Sequence, residues 1–529
     1  MNADKKSAVS SQQSTVSIFT LIFLNLAIVL PLAFFLNIWV DEASTLYTTQ
    51  NGFLAAFQNA LKDEKQAPLY FWTLSLWRGI NDSIFFARLF SIVCSLLAIK
   101  FFNDLARKFF DEKAAVLVTA FFAFHPYLIW ASLEIRVYSL VILLTILLLK
   151  FFHDGHFETK EISHAQLQNW QKKPQILYVL ISIVALYTNY YLGFLLIGNF
   201  FALLVLRRWK AAKNYFLQMI IVGAAFLPLI WAVKSQFAVN TSGFQTEKSL
   251  MEGLRIIWNF VLTFVLPTEI FPPEETTAIS VFRVWLVRVA VLAIVILLIK
   301  NRRKLNDNIV AFGTAAATIG AFLLAAYFLL GVSYVQIRHA AVLFAPLFLC
   351  AALILSEILS PKRADARKKE KRLATRKIST VFLAVFAAVF FSYSVYTLYP
   401  NLTKRGDWAR VGLFLEQNET PNQPIIVFTT FDALALPYHY QGANRILPDE
   451  KFFDWELEAE PRSADAWRRQ TDFVISKIPA EAKEIWLLTN EKFDAGQACL
   501  PLENFVEANY TIVQEKKFYK ETVRLLRKK

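Results

Sequence analysis

The chain has 529 residues, of which 56% are hydrophobic, and its mean hydropathy is +0.40. This composition is too apolar for an ordinary soluble protein. The formal net charge is +14, but the basic residues are concentrated in a few connecting segments, which argues against nucleic acid as a partner. The three cysteines indicate neither a disulfide framework nor a cysteine-based metal site.

Apolar segments recur along most of the chain, and many approach the roughly 20 residues that a transmembrane helix requires. The sequence therefore predicts a mainly α-helical, polytopic membrane protein with about eleven transmembrane helices. No A-x-A-like cleavage site follows the first segment, so it is interpreted as a retained helix. The predicted segments are 17–40, 84–102, 114–132, 136–152, 175–188, 190–206, 214–233, 283–299, 308–330, 339–358 and 379–398.

The distribution of Lys and Arg predicts the orientation in the membrane. With the amino terminus inside, the inside connections hold 27 Lys and Arg residues and the outside ones hold 7. This asymmetry follows the positive-inside rule and predicts a cytoplasmic amino terminus at 1–16. The basic stretch 361–377 is interpreted as a cytoplasmic loop lying on anionic lipid, in preference to a nucleic-acid-binding patch.

An odd number of crossings places the end of the chain outside. Residues 17–398 then form the transmembrane domain, with the outer loops 41–83 and 235–282, and 399–529 form a soluble external domain. In that domain, "PIIVFTT" (424–430) and "EIWLLTN" (484–490) have the pattern of short buried strands. We expect a small α/β module there, and a multi-pass protein of the inner or plasma membrane.

Charged residues interrupt the apolar pattern at the stretch "HPYLIWASLEIRVYSL" (125–140), the predicted outer turn between the third and fourth crossings. Glu134, Arg136 and Tyr138 are placed there. Ionisable groups held near hydrocarbon usually face a cavity and serve a function. A structural ion pair that fixes two helix ends is the alternative.

Acidic residues also follow the first crossing directly. Asp41 and Glu42 come immediately after its last apolar residue, and a simple helix-end boundary is the alternative explanation for them. Phe53, Phe57 and Leu61 share one helical face, which suits a helix lying in the membrane interface. Glu64 and Lys65 come next, just ahead of an aromatic run.

Two further predicted outer turns carry polar side chains. "LYTNYYLG" contains Tyr190, and "GVSYVQIRHA" contains Arg338 and His339. Four outer turns thus supply polar groups to one side of the membrane. Guanidinium groups bind phosphate oxygens bidentately, and a carboxylate accepts the proton of an attacking hydroxyl. This combination points to a reaction between a lipid-linked phosphate and a hydroxyl acceptor.

At these residues the chain resembles the integral-membrane glycosyltransferases of the GT-C type, specifically the bacterial glycosyltransferase 39-like proteins related to dolichyl-phosphate-mannose protein mannosyltransferases. The resemblance covers most of 20–350 and rests on an ordered set of motifs. These are "VDEASTLY", "EKQAPLYFWTLSLW" with "NDSIFFARLFS", "HPYLIWASLEIRVYSL", "LYTNYYLGFLL" and "IRHAAVLFAPLFL", followed by "KRGDWARVGLFLEQN" at the start of the tail.

The resemblance implies a GT-C fold and transfer of a hexosyl or pentosyl group from a polyprenyl-phosphate donor to a lipid, glycan or protein acceptor. It implies Asp41 as the base, with Glu42, Glu64 and Glu134 as secondary catalytic candidates. The implied substrate-binding residues are Lys65, Arg136, Tyr138, Tyr190, Arg338 and His339, with Arg136 and Arg338 on the phosphate. Departures from the family pattern at Gln66, Ala67, Asn189 and His339 leave the sugar and acceptor open.

Other classes of function remain as alternatives. A transporter or lipid flippase would place its polar groups near the middle of the membrane, often with internal repeats. A membrane scaffold with a binding tail would have no use for the outer carboxylates. No cofactor is required by the chemistry, although Asp41 with Glu42 offers oxygen ligands suited to Mg²⁺ or Mn²⁺.

Overall fold

The structure is a computed structural model in which most of the chain is described. The described residues are 2–157, 164–241, 249–265, 306–330, 335–359, 387–428, 432–449, 464–490 and 500–529, with isolated positions between 267 and 296 and at 385. The side chains at 2–17, 164–172, 237–241, 358–359, 432, 464–467 and 500 are outside the description. The basic loop predicted at 361–377 also lies outside it.

Helices dominate the described residues before position 360. The helix Tyr138–Phe152 continues into a π-helical turn at His153–Phe157. In chain order the helices are α1 (Asn2–Phe35), α2 (Val40–Thr49), α3 (Gly52–Lys62), α4 (Leu69–Arg78), α5 (Ile84–Ala106), α6 (Glu112–Ala123), α7 (Pro126–Leu133), α8 (Tyr138–Phe152), α9 (His164–Thr188), α10 (Leu192–Val205), α11 (Trp209–Thr241), α12 (Leu250–Val265), α13 (Asp307–Leu330) and α14 (Ala341–Leu359).

Several of these helices are long and apolar enough to cross a membrane, and the chain is a multi-pass membrane protein. Five described spans meet this criterion, or six if the bent pair α6 and α7 counts as one. Three shorter apolar helices coincide with other predicted segments. The segments predicted at 283–299 and 379–398 lie partly outside the described residues, so the figure of about eleven crossings stays a prediction.

The segment predicted as one continuous helix at 114–132 is bent instead. α6 ends at Ala123, α7 begins at Pro126, and the two helices meet at 53°. Proline disfavours the helical conformation in the residue before it. His125 accordingly has ψ 127 and caps α7, accepting a hydrogen bond from Tyr127 N at 3.1 Å on its ring Nδ1. The signal for this break, a His-Pro pair, is present in the sequence.

Ion pairs among the described residues link several of the predicted inside connections. Asp154, in a predicted inside connection, pairs with Lys108 and with Lys150, the latter at 3.0 Å. Arg208, from another inside connection, reaches Asp307 beside the next inside connection at 2.8 Å. The residues of the predicted outer turns also contact one another, as described below. The side of the membrane on which each connection lies stays a prediction.

Residues after 399 contain a sheet with helices beside it. The strands β1 (Ile425–Phe428), β2 (Ile446–Leu447), β3 (Glu484–Asn490), β4 (Tyr510–Lys517) and β5 (Glu521–Lys528) are ordered β2-β1-β3-β5-β4. β1 runs parallel to β2 and β3, whereas β5 runs antiparallel to β3 and β4. The strands predicted within 424–430 and at 484–490 both form. The accompanying helices are Trp408–Asn418, Ala464–Ser476 and Leu500–Asn509.

Both faces of β1 are covered, because successive side chains of a strand point to opposite faces. Ile425 and Val427 belong to a cluster of buried apolar residues that continues into the membrane helices. Ile426 and Phe428 belong to a second cluster on the other face. The sheet therefore packs towards the membrane helices on one side.

The segment after the last apolar helix is fastened to the end of α1 through Asn37. The Asn37 amide nitrogen donates to the carbonyls of Lys404 (3.1 Å) and Gly406 (2.9 Å), and its oxygen accepts from Lys404 N at 2.8 Å. The Ile38 N–H donates to Nε2 of His439 at 3.2 Å. Burial, with help from the nearby charge of Arg88, lowers the pKa of His439 to about 4, so the ring is neutral and accepts this bond at ordinary pH.

Candidate active site

Asp41 and Glu42 lie in the first turn of α2, where a carboxylate interacts favourably with the helix dipole. Glu42 occupies the third helical position, and its Oε2 accepts a hydrogen bond from the backbone N–H of Trp39 at 3.3 Å. This is half of a capping box and it fixes the start of the helix. Adjacent helix residues point about 100° apart, so Asp41 and Glu42 meet different partners.

A buried lysine joins two of the carboxylates. Lys404 Nζ lies 2.8 Å from Glu42 Oε1 and 3.0 Å from Glu134 Oε1, and it donates to the Leu133 carbonyl at 2.8 Å. Trp39 Nε1 donates to Glu134 Oε2 at 2.7 Å. The side chains of Glu42, Glu134 and Lys404 are almost completely buried. Buried charges of this kind require such partners, and these two carboxylates are held in a structural network.

Arg88 closes the same network from α5. Its Nη1 donates to the carbonyls of Ala33 (2.8 Å) and Leu36 (2.6 Å), and its Nη2 donates to that of Asn37 (2.7 Å). Its Nε lies 3.6 Å from Glu42 Oε1. The last carbonyls of a helix have no partner within it, so this guanidinium caps α1 and sets the depth at which α2 begins.

Asp41 is the most accessible of the four candidate carboxylates. Its side chain is 22% exposed, against 0% for Glu42, 1% for Glu134 and 5% for Glu64. It forms an ion pair with Arg338, whose side chain is 21% exposed. A carboxylate and a guanidinium that are both reached by solvent are available to a substrate.

Arg136 reaches the same point from the turn between α7 and α8. Its Nη1 donates to the Asp41 carbonyl (3.1 Å), to Thr45 Oγ1 (2.7 Å) and to Glu64 Oε2 (3.1 Å). Glu64 also accepts a hydrogen bond from Ser44 Oγ at 2.6 Å. Glu64 therefore connects Arg136 to α2 and fixes the orientation of the guanidinium.

The remaining predicted substrate-binding residues lie at different distances from this cluster. Tyr138 stacks on Trp130 with ring centroids 4.8 Å apart, and it interacts electrostatically with Arg338. His339 stacks on Tyr191 at 5.7 Å. Tyr190 packs edge-on against Phe226, and its described contacts do not reach the carboxylates.

Lys65 follows Glu64 with a left-handed backbone, φ 52. Burial lowers the pKa of its ammonium group, although the side chain is only partly buried. Lys65 thus lies in the turn between α3 and α4, next to the carboxylate that contacts Arg136.

The charges around Asp41, Glu42 and Glu134 shift the pKa values of these three carboxyl groups in different directions. Burial acts to raise the pKa of Asp41, but Arg338, Arg136 and Arg405 outweigh it, and the pKa lies below its ordinary value. Burial is likewise outweighed at Glu42, where Lys404 and Arg88 lower the pKa. At Glu134 burial prevails, reinforced by the charge of Glu42, and the pKa is raised. Asp41 is therefore an ionised, weakly basic carboxylate.

A divalent metal held by Asp41 and Glu42 does not fit this arrangement. Both Glu42 oxygens already have partners, and Asp41 faces Arg338. Among the described residues, no group of three or more metal-ligating side chains is found.

A large apolar cavity lies away from the cluster. Its volume is about 490 Å³, and Phe121, Phe124, Ile129 and Phe391 are among its lining residues. None of the candidate catalytic or substrate-binding residues lines it.

Lys404 and Arg405 begin the motif "KRGDWARVGLFLEQN" and were assigned no role from the sequence, yet both contribute to this cluster. The Arg405 guanidinium carbon lies 3.9 Å from the centre of the Trp39 ring. A signal was available, because these two cations lie side by side on the predicted outer side, where Lys and Arg are scarce.

The fold is similar to that of solved membrane proteins. ArnT from Cupriavidus metallidurans bound to undecaprenyl phosphate matches with a TM-score of 0.56 and 13% identity, covering 97% of this chain and 97% of that chain. ArnT from Cupriavidus metallidurans in the apo state matches with a TM-score of 0.54 and 14% identity, covering 95% and 97%. No protein-family model and no curated protein matches the chain.

The likeness extends over nearly the full length of both chains, so it includes the residues after 399 as well as the membrane helices. It confirms the predicted GT-C-type membrane fold. At 13–14% identity the likeness establishes the fold alone.

Proposed function

We propose that this protein is a glycosyltransferase that moves a monosaccharide from a polyprenyl-phosphate-linked donor to a hydroxyl acceptor at the outer face of the membrane. The observation that carries the proposal is the pairing of Asp41 with Arg338 beside Arg136. It places one accessible carboxylate among guanidinium groups at the end of a membrane helix. The fold of ArnT, solved with undecaprenyl phosphate bound, adds support for a lipid phosphate as the donor group.

Asp41 acts as the general base in this reaction. The acceptor oxygen attacks the anomeric carbon of the sugar, and its proton passes to the Asp41 carboxylate. The bond between the anomeric carbon and the phosphate oxygen breaks, and its electron pair leaves with the polyprenyl phosphate. Because phosphate is already a good leaving group, a second carboxylic acid, as used by glycosidases, is not needed.

Arg338 and Arg136 stabilise the charge that grows on the phosphate as this bond breaks. When the donor phosphate binds, it competes with Asp41 for Arg338, which makes the carboxylate more basic than in the resting ion pair. Glu64 keeps Arg136 oriented through the 3.1 Å contact. Glu42 and Glu134 hold the fold of the site and do not touch substrate.

The test is turnover of purified protein in lipid nanodiscs with a polyprenyl-phosphate donor carrying a radiolabelled sugar. Asp41→Asn keeps the size of the side chain and removes its basicity, and we expect a loss of about 10²–10⁴-fold, the usual range for a general base. Asp104→Asn, an exposed carboxylate paired only with Lys100 among the described contacts, is the control.

Two results would contradict the proposal. Near-wild-type turnover of correctly folded Asp41→Asn would show that Asp41 anchors the helix and is not the base. Movement of labelled lipid between leaflets without covalent transfer of the sugar would favour the transporter or flippase.

A further inference from the structure

We propose that Arg405 is a third phosphate-binding residue of this site and that Lys404 is a positioning residue that holds it there. This inference rests on the proposed function, because it assigns a role towards the phosphate of the lipid-linked donor. It adds residues from the segment after the last apolar helix, more than 60 positions beyond Arg338 in the sequence.

The position of Arg405 is the first support. Its guanidinium lies over the Trp39 ring at 3.9 Å, a cation–π arrangement at the start of α2. Asp41, Glu134 and Arg338 all interact electrostatically with it. Arg405 is therefore on the same side of the site as the Asp41–Arg338 pair. The positive charge of Arg338 disfavours a second guanidinium at this place, and a bound anion would offset that repulsion.

The charge balance of the cluster is the second support. Among the described residues, this cluster contains four carboxylates and five cations. The carboxylates are Asp41, Glu42, Glu64 and Glu134, and the cations are Arg88, Arg136, Arg338, Lys404 and Arg405. The formal excess is one positive charge. Unbalanced charge is costly when it is withdrawn from water, so the cluster favours an anionic ligand.

The backbone around Arg405 is the third support. Arg405 has φ 54, in the left-handed region that non-glycine residues seldom adopt. Gly406 has φ 152, and a Cβ there would lie 2.8 Å from Glu521 Oε1 and 2.9 Å from Trp408 Nε1. Strained conformations persist only where the surroundings hold them, and they concentrate at functional sites.

Lys404 and Asn37 provide that hold. The Lys404 ammonium is fixed by Glu42, Glu134 and the Leu133 carbonyl, and its backbone is fixed on both sides by the Asn37 amide. With Lys404 fixed in this way, the next side chain, Arg405, lies over the Trp39 ring. Within the segment 403–407, Lys404 is therefore buried among the carboxylates, and Arg405 is the side chain that binds the substrate phosphate.

The experiment measures binding of undecaprenyl phosphate, and of undecaprenol as the uncharged comparison, to the full chain in nanodiscs. We expect Arg405→Ala to weaken undecaprenyl phosphate binding by about 10- to 100-fold, the range for one lost hydrogen bond between charged groups. Undecaprenol binding should not change, which also shows that the variant is folded. Arg445→Ala, a cation that pairs with Asp449 on the surface, is the matched control.

Lys404 is tested as a positioning residue with a double-mutant cycle. Lys404→Met combined with Glu134→Gln avoids leaving an additional uncompensated buried charge. This variant should lose as much undecaprenyl phosphate affinity as Arg405→Ala, and adding Arg405→Ala to it should cost little more. Lys404→Arg, which keeps the charge, should restore part of the affinity.

The outcomes separate this inference from the proposed function. Wild-type protein that binds undecaprenyl phosphate no better than undecaprenol would overturn both. If Arg405→Ala prefers undecaprenyl phosphate over undecaprenol as strongly as the wild type does, only the role of Arg405 is overturned. Fully additive losses in the cycle would overturn the positioning role of Lys404.

Discussion

Asp41 and Glu42 are adjacent, yet their surroundings assign them different tasks. Glu42 is enclosed by Lys404, Arg88 and the backbone of Ile135, whereas Asp41 remains partly exposed beside Arg338. The residue pattern placed both at the end of the first crossing, and only the family resemblance favoured Asp41 over Glu42 as the base. What separates them is the set of partners, and those partners come from positions far away in the chain.

The pH dependence of the reaction follows from the pKa of Asp41. Arg338 contributes the largest lowering charge and burial opposes it, so the pKa lies below its ordinary value of 3.8. A base works only when ionised, so wild-type kcat/KM should lose activity through Asp41 only below that pH. Removing Arg338 leaves burial less opposed and raises the pKa. The acid limb of kcat/KM in Arg338→Ala should therefore move to higher pH.

The measurement is the shape of the kcat/KM profile, because the overall level will also fall when a phosphate-binding group is lost. Arg445→Ala serves as the control and should leave the profile in place. If the acid limb lies at the same pH in Arg338→Ala and in the wild type, Asp41 is not the base of the rate-determining proton transfer.

The second prediction at the residue scale concerns the guanidinium of Arg136. One of its nitrogens already serves Asp41 O, Thr45 and Glu64, so the planar group can hold α2 and still present other N–H groups to phosphate. Lysine has a single nitrogen and cannot do both. Arg136→Lys should lower kcat/KM for the donor by about tenfold or more.

Donor titrations of Arg136→Lys beside Arg445→Lys will measure this effect. Full activity of Arg136→Lys with unchanged donor affinity would rule out the bidentate role.

At the scale of elements, the site depends on where α1 stops and α2 starts. Arg88 binds the last carbonyls of α1, Glu42 holds the Trp39 backbone, and Asn37 anchors the incoming segment at Lys404. Four consecutive residues with no regular structure, 36–39, thus connect three parts of the chain.

Arg88→Met tests this junction through stability. The substitution keeps much of the apolar stem but removes the hydrogen-bond donor of the Ala33, Leu36 and Asn37 carbonyls. It also removes one of the positive charges that balance the buried Glu42 carboxylate. Breaking a buried ionic contact typically costs about 3–5 kcal/mol. Unfolding by SDS titration should reveal this loss, with Lys100→Met, an exposed cation on the same helix, as the control. A change within the error of the control would show that α1 ends there without Arg88.

How far the sequence predicts the elements depends on whether a local pattern encodes them. Hydrophobic runs located the apolar helices that the structure describes and the strands Ile425–Phe428 and Glu484–Asn490, because buried elements show a periodic hydrophobic pattern. The bend at His125 was missed even though the Pro signal was there. The contact of Lys404 with Glu42 has no local trace, since its partners are separated by hundreds of positions.

In the candidate site, too, the residues could be found from local sequence patterns but their contacts could not. Charges at apolar boundaries identified Asp41, Glu64, Arg136 and Arg338, because an ionisable group near hydrocarbon is conspicuous in any sequence. Which of them pair could not be predicted, since pairing depends on packing between helices. Tyr190 was grouped with them on its place in an outer turn, but the packing of its helices turns it towards Phe226.

At the scale of the whole molecule, residues after 399 contribute side chains to the candidate site. Lys404 and Arg405 enter the carboxylate cluster, and His439 accepts a bond from Ile38 at the end of the first helix. The cluster and this domain must therefore be on the same side of the membrane. That requirement links the location of the reaction to the topology.

The topology can be tested with single cysteines in a Cys499→Ser background, since Cys94 and Cys350 are buried. Gln417→Cys lies exposed on the helix after Lys404, and Lys210→Cys lies exposed in a predicted inside connection. The excess of Lys and Arg in the inside connections predicts that an impermeant thiol reagent labels Gln417→Cys in intact cells. Lys210→Cys, and Ala366→Cys in the basic loop, should be labelled only after the membrane is opened. Labelling of Gln417→Cys only in opened cells would place the cluster on the inner face, and a donor presented at the outer face could then not be the substrate.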